Sequence, residues 1–126
     1  MSINCILPQV YNLYREAYAV PKIGEFELLV VLAILRQADA PYANQVRRDL
    51  EDNAKRSVTR GALYRTLDRL KEKGLVDWAI EPQGNPERGG LPMRRLEVTR
   101  QGLETVRESR AILLDFFESL DTVTDR

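Results

Sequence analysis

Apolar residues along the chain recur at two different periods, and the change of period divides the chain into elements. Between residues 24 and 37, Phe26, Leu29, Val30, Ala33 and Ile34 return every three or four positions, which predicts a helix. Leu28, Val31, Leu32 and Leu35 widen its apolar arc, so burial is expected on more than one side. After a turn at 38–41, Val46 and Leu50, joined by Tyr42 or Ala43, predict a second helix over 42–53. Its Arg47, Arg48, Asp49, Glu51 and Asp52 should face largely outward. A narrower stripe follows, Leu63, Leu67 and Leu70, in a third helix that Thr59 can cap and Gly74 can end in a left-handed conformation. Gly61, Arg65, Asp68, Arg69 and Glu72 lie opposite the stripe, with Tyr64 at its flank.

The pattern then becomes strand-like. Residues 75–80 favour β structure, residues 81–92 are rich in proline and glycine, and residues 93–98 can return as a second strand. In that return strand Met93, Arg95 and Glu97 alternate with Arg94, Leu96 and Val98. Thr99 can cap a last helix from residue 100 to about 120. Leu103, Val106, Arg110 or Ile112, Leu113 or Leu114, Phe117 and Leu120 give that helix a broad apolar face, and residues 121–126 are expected to fray. Residues 1–21 form an N-terminal arm in which Pro8 can begin a short helix through Ala19. Val10, Leu13, Tyr14, Ala17 and Tyr18 share one sector of it, which would pack on the body or on a second chain. The expected fold is mainly α with a two-stranded β wing. It is a winged helix-turn-helix domain over 22–98, followed by a C-terminal helix over 99–120.

A chain of 126 residues with 44% hydrophobic and 30% charged residues describes one soluble globular domain. It contains no apolar run near the length of a membrane span, and the first residues supply no basic leader for a signal peptide; a cytoplasmic protein is expected, with no membrane partner. Histidine is absent and Cys5 is alone, which excludes a His/Cys zinc site and Ser-His-Asp or Cys-His catalysis within one chain. No metal, cofactor or enzymatic activity is expected. Glu25 with Glu27, and Glu51 with Asp52, read as solvated helix charges.

The charge distribution changes the picture. The net charge is zero, yet residues 54–73 carry seven Lys/Arg against Asp68 and Glu72. A basic helix among neutral and acidic flanks points one face at a polyanion, with double-stranded DNA first in line. In a major groove, Thr59 and Arg60 are placed for phosphate, and Gly61 lets the backbone approach closely. Arg65 is the best reader of a guanine edge, Tyr64 would meet phosphate, sugar or a thymine methyl, and Arg69 lies farther along. Arg88, Arg94 and Arg95 would let the wing follow the backbone or enter a minor groove. Trp78 reads as a core or interface aromatic, with ligand stacking as the alternative.

Three blocks carry a family resemblance: GEFELLVVLAIL at 24–35, RSVTRGALYRTLDRLKEKGLVDW at 56–78 and RGGLPMRRLEVTRQG at 88–102. With their spacing they resemble the PadR family of bacterial transcriptional regulators over about residues 22–104. The resemblance implies DNA contact by Thr59, Gly61, Tyr64 and Arg65, with Arg88, Arg94 and Arg95 serving the wing. It also implies a homodimer through the C-terminal helix, with Phe26, Val30, Leu103, Val106, Leu113, Phe117 and Leu120 as interface residues. A palindromic operator, repression and release by a small aromatic effector are further implications. The alternative is a winged-helix module that binds another protein, through residues 1–20 and Trp78, without specific DNA binding.

Overall fold

The structure is a computed structural model that describes residues 23–39, 41–81 and 93–124. The expected N-terminal arm, Arg88 and most of the wing loop lie outside these residues. The elements follow one another as α1 (Glu25–Arg36), α2 (Ala43–Asn53), α3 (Arg60–Glu72), β1 (Val76–Glu81), β2 (Met93–Val98) and α4 (Arg100–Thr124). This is the mainly α architecture with a two-stranded wing that the periodicity predicts.

Helices α1 to α3 enclose the core. Val30, Val31, Ala33 and Ile34 of α1 meet Ala43, Val46 and Leu50 of α2 and Leu63, Leu67 and Leu70 of α3, and Leu75, Val76 and Leu96 close it from the wing. Each such buried Leu or Val adds about 1.5–3 kcal/mol of hydrophobic stabilisation. Between Tyr42 and Ala43, the inward position goes to Ala43. The α1 arc is one-sided: Leu32 and Leu35 are exposed. Two of the expected interface residues are also corrected. Val30 is 0% and Val106 7% exposed, so both are consumed by the chain's own core and offer almost nothing to a partner.

Glu27 is a further correction, since it is buried rather than solvated. It stands at the third position of α1 and accepts the Gly24 N–H at 2.9 Å, half of a capping box. Lys73 Nζ, at the end of α3, donates to both its carboxylate oxygens at 2.8 and 2.9 Å. Burial alone would raise the Glu27 pKa. The Lys73 and Gly24 hydrogen bonds and the charges of Lys73 and Arg69 outweigh it, and the carboxyl sits below its ordinary 4.5. The pair ties the start of α1 to the end of α3.

The wing strands pair antiparallel from Val76 opposite Val98 to Glu81 opposite Met93. A contact that the sequence pattern did not reveal adds to the far edge of β2. Leu96 N–H donates to the Pro41 carbonyl at 2.9 Å, and Tyr42 forms a bridge with Arg95. The alternation expected in β2 is broken, because Met93 and Leu96 are both buried despite pointing to opposite faces.

One knot joins α3, β1 and α4. Gly74 ends α3 with φ at 76°. The Thr99 hydroxyl donates to the Gly74 carbonyl at 2.6 Å and accepts the Gly102 N–H at 3.0 Å, capping α4. A side chain at Gly102 would run into the Leu75 carbonyl oxygen, so the close approach of α4 to β1 requires glycine there. Beyond this knot α4 leaves the body: every residue from 110 to 123 is exposed. The helix continues through residues 121–124, which the sequence pattern assigned to a frayed tail.

Candidate nucleic-acid interface

The third helix begins at a capped terminus. Thr59 has extended backbone angles, and its hydroxyl oxygen accepts the Ala62 N–H at 3.1 Å. That bond uses an acceptor lone pair and leaves the hydroxyl proton free for an outside acceptor. The first backbone N–H groups of α3, at Arg60 and Gly61, point out of the same end, where the helix dipole is positive. Gly61 is exposed, and a Cβ built there meets nothing within 4 Å. Packing within the chain therefore gives no reason for glycine at this position.

Gly61, Arg65, Asp68, Arg69 and Glu72 are exposed, as the helical spacing predicts, and so is Arg60. Arg65 lies one turn beyond Gly61 on the same face. Among the described residues, Arg60 and Arg65 have no ion-pair or hydrogen-bond partner. Other cations of the basic segment are engaged within the chain. Arg56 pairs with Glu25, Lys71 with Asp77, and Lys73 with Glu27. Arg69 Nη2 leans back to donate to Thr66 Oγ1 at 3.3 Å. Within the basic segment, and among the described residues, Arg60 and Arg65 in the first half of α3 are thus the cations left without a partner.

The wing arginines part company. Consecutive strand residues point to opposite faces, so Arg94 and Arg95 meet different neighbours. Arg95 Nη1 reaches Glu81 Oε1 at 3.4 Å, beside the Tyr42 hydroxyl, which donates to Glu81 Oε2 at 2.7 Å. That bond to Glu81 raises the Tyr42 pKa. Arg94 turns the other way, toward α3. Its guanidinium carbon lies 5.1 Å from the Tyr64 ring centre and 4.7 Å from that of Trp78. Trp78 also has Lys71 Nζ over its ring at 4.2 Å, so a stacking ligand would have to displace a cation. Tyr64 is half-buried against the core as well as beside Arg94.

Solved structures share this architecture. A PadR-like transcription factor from Bacteroides fragilis superposes with a TM-score of 0.65 at 21% identity, covering 91% of this chain and 98% of that one. A PadR family transcription regulator from a hypervirulent Clostridium difficile gives 0.67 at 15% identity, over 80% of this chain and 99% of that one. The chain has the PadR-type winged-helix fold. A third match, the complex structure of hsRosR-S4, gives 0.59 at 22% identity over 84% of this chain and 90% of that one. No protein-family model matches the chain, and no curated protein matches it.

Within the PadR-type fold, the expected site residues fall into three groups. Thr59, Arg60, Gly61 and Arg65 come together at one open end of α3. Arg69, Arg94 and Arg95 are exposed or half-exposed but engaged with neighbours, and Arg88 lies outside the described residues. Leu113, Phe117 and Leu120 stand on the free part of α4, whereas Phe26 and Leu103 are half-buried. Asp68, Lys71 and Asp77 take part in the contact between α3 and the wing. Asp68 and Lys71 form one stripe of α3 with Tyr64, a signal legible in the sequence only once the wing's side is known. Among the described residues, no helix is long and apolar enough to cross a membrane.

Proposed function

We propose that the protein is a homodimeric, sequence-specific DNA-binding transcription regulator that represses by occupying a palindromic operator. The observation that carries this reading is the end of α3. A free hydroxyl proton, free backbone N–H groups, an unneeded glycine and two arginines without a partner among the described residues converge there. Thr59, Arg60 and the Gly61 backbone hold phosphate, and Arg65 reads a guanine edge in the major groove. Tyr64 and Arg69 border this contact, and Arg88 and Arg95 extend it along the wing.

Dimerisation is supported by α4. Ile112, Leu113, Leu114, Phe116, Phe117, Leu120 and Val123 are all exposed, with Phe116 at 72% and Phe117 at 56%. Arg110, Leu113, Phe117 and Leu120 follow one another at intervals of three and four, the spacing of a helix–helix seam. A half-helix standing alone in water is marginal, and a second copy would cover it. A groove of about 200 Å³ between α1 and α4, lined by Leu28, Leu32, Leu113 and Phe117 with Arg110 at its edge, has room for a small aromatic effector.

The test is Arg65→Ala against wild type on a duplex selected by the wild-type protein. Affinity is expected to fall by about 1–3 kcal/mol, with preference relaxed at one base pair per half-site and the thermal melt unchanged. Equal affinity and equal sequence preference in the variant would contradict the assignment.

A further inference from the structure

The contacts on the wing side of α3 form a unit of their own. Tyr64, Asp68 and Lys71 succeed one another at intervals of four and three, and so make one stripe of the helix beside the wing. Lys71 and Arg94 lie over the Trp78 ring, and Arg94 also lies over Tyr64. Each cation has its own carboxylate. Arg94 Nη1 is 3.8 Å from Asp68 Oδ1, and Lys71 Nζ is 3.4 Å from Asp77 Oδ1. Two rings, two cations and two carboxylates, drawn from α3, β1 and β2, therefore close a cluster with no net charge. Arg94 Nη1 is buried without a hydrogen bond among the described residues, since 3.8 Å is too long for one. Stacking sets its position instead, and a planar guanidinium against two rings has a defined orientation that a lysine would lack.

We propose that Trp78 and Arg94 are positioning residues that preset the angle of the wing against α3 in the free protein. The wing then reaches DNA flanking the α3 contact without rearranging. Only this last step rests on the DNA reading given above. The cluster gives Arg94 a different task from the phosphate contact that its place in the wing first implied, and the two tasks separate experimentally. Trp78→Ala removes no charge, so it disturbs the positioning role alone.

Trp78 is the single tryptophan of the chain, which makes it its own reporter. Acrylamide quenching of its fluorescence is measured on the free full-length protein, wild type against Arg94→Met and Arg94→Lys. Quenching is expected to rise about twofold in Arg94→Met and only partly less in Arg94→Lys, because the ring loses its stacked guanidinium. Identical quenching in all three proteins would overturn the clamp. Hydroxyl-radical footprints on the selected duplex supply the second arm. Trp78→Ala is expected to keep protection centred on α3, lose the flanking protection and bind about tenfold more weakly, with Trp78→Phe restoring most of both. Flanking protection that survives Trp78→Ala would overturn the positioning role. If Trp78→Ala does not fold, Trp78→Phe and Arg94→Lys, which keeps the charge, carry the comparison, with flanking protection kept in the first and reduced in the second. A wild-type protein that protects no duplex would overturn the DNA reading and the flanking step with it, while the quenching contrast decides the clamp by itself.

Discussion

Single residues carry opposite loads in this chain. Gly61 sits in the first turn of α3 with open space where a Cβ would stand, and a helical glycine costs about 0.5–1 kcal/mol relative to alanine. Gly61→Ala is therefore expected to raise folding stability by about that amount in urea melts while weakening duplex binding. A variant both more stable and equally tight on DNA would show that no backbone approach occurs at this position. Glu27 carries a purely internal load. Its folded pKa lies below the ordinary 4.5, so its contribution is complete above that pH and is lost as the pH falls through the folded value. Acid titration of the melting temperature is expected to show this loss below pH 4.5 in the wild type and less of it in Glu27→Gln, which should itself cost about 1.5–3 kcal/mol near neutrality. The sequence made Thr59 legible as a cap because capping is local. It left Glu27 looking solvated, because the partner that makes burial tolerable, Lys73, is 46 positions away.

At the scale of elements, period alone located the three helices, the two strands and the last helix, because each buries a face whose spacing is written into the chain. What spacing cannot say is which neighbour a face meets. The wide arc of α1 reads as burial on several sides, yet Leu32 and Leu35 remain exposed. The short pairing of Pro41 and Tyr42 with β2 involves too few residues to leave a pattern. α4 runs farther than its spacing predicts, because Val123 continues the apolar face beyond Leu120, past a polar Asp121–Thr122 step. The free half of α4 also yields an expectation. Without a partner it lacks tertiary support, so dilution through the dimer dissociation constant should lower the helical circular dichroism signal. A signal independent of concentration across dissociation would show that α4 is stable unaided.

At the scale of the molecule, a chain of zero net charge that is to hold a polyanion must concentrate free cations locally; among the described residues Arg56, Lys71 and Lys73 are paired internally, while Arg60 and Arg65 on α3 are not. Two copies joined through α4 would present two such ends, which multiplies a modest single-site affinity. Phe117→Asp is expected to weaken the dimer on the order of 100-fold or more in sedimentation experiments, as for a central aromatic hot spot, with the folded core intact because Phe117 lies outside it. A dimer undisturbed by that change would move the interface elsewhere. Both claims, DNA reading and two-fold assembly, meet in one measurement. Duplexes bound by the full-length protein are selected from random DNA, and the winning sequence is titrated across salt. An inverted repeat with half-site centres about 34–36 Å apart is expected, bound with a steep salt dependence. A flat selection, with only salt-sensitive background binding, would contradict the account at its centre.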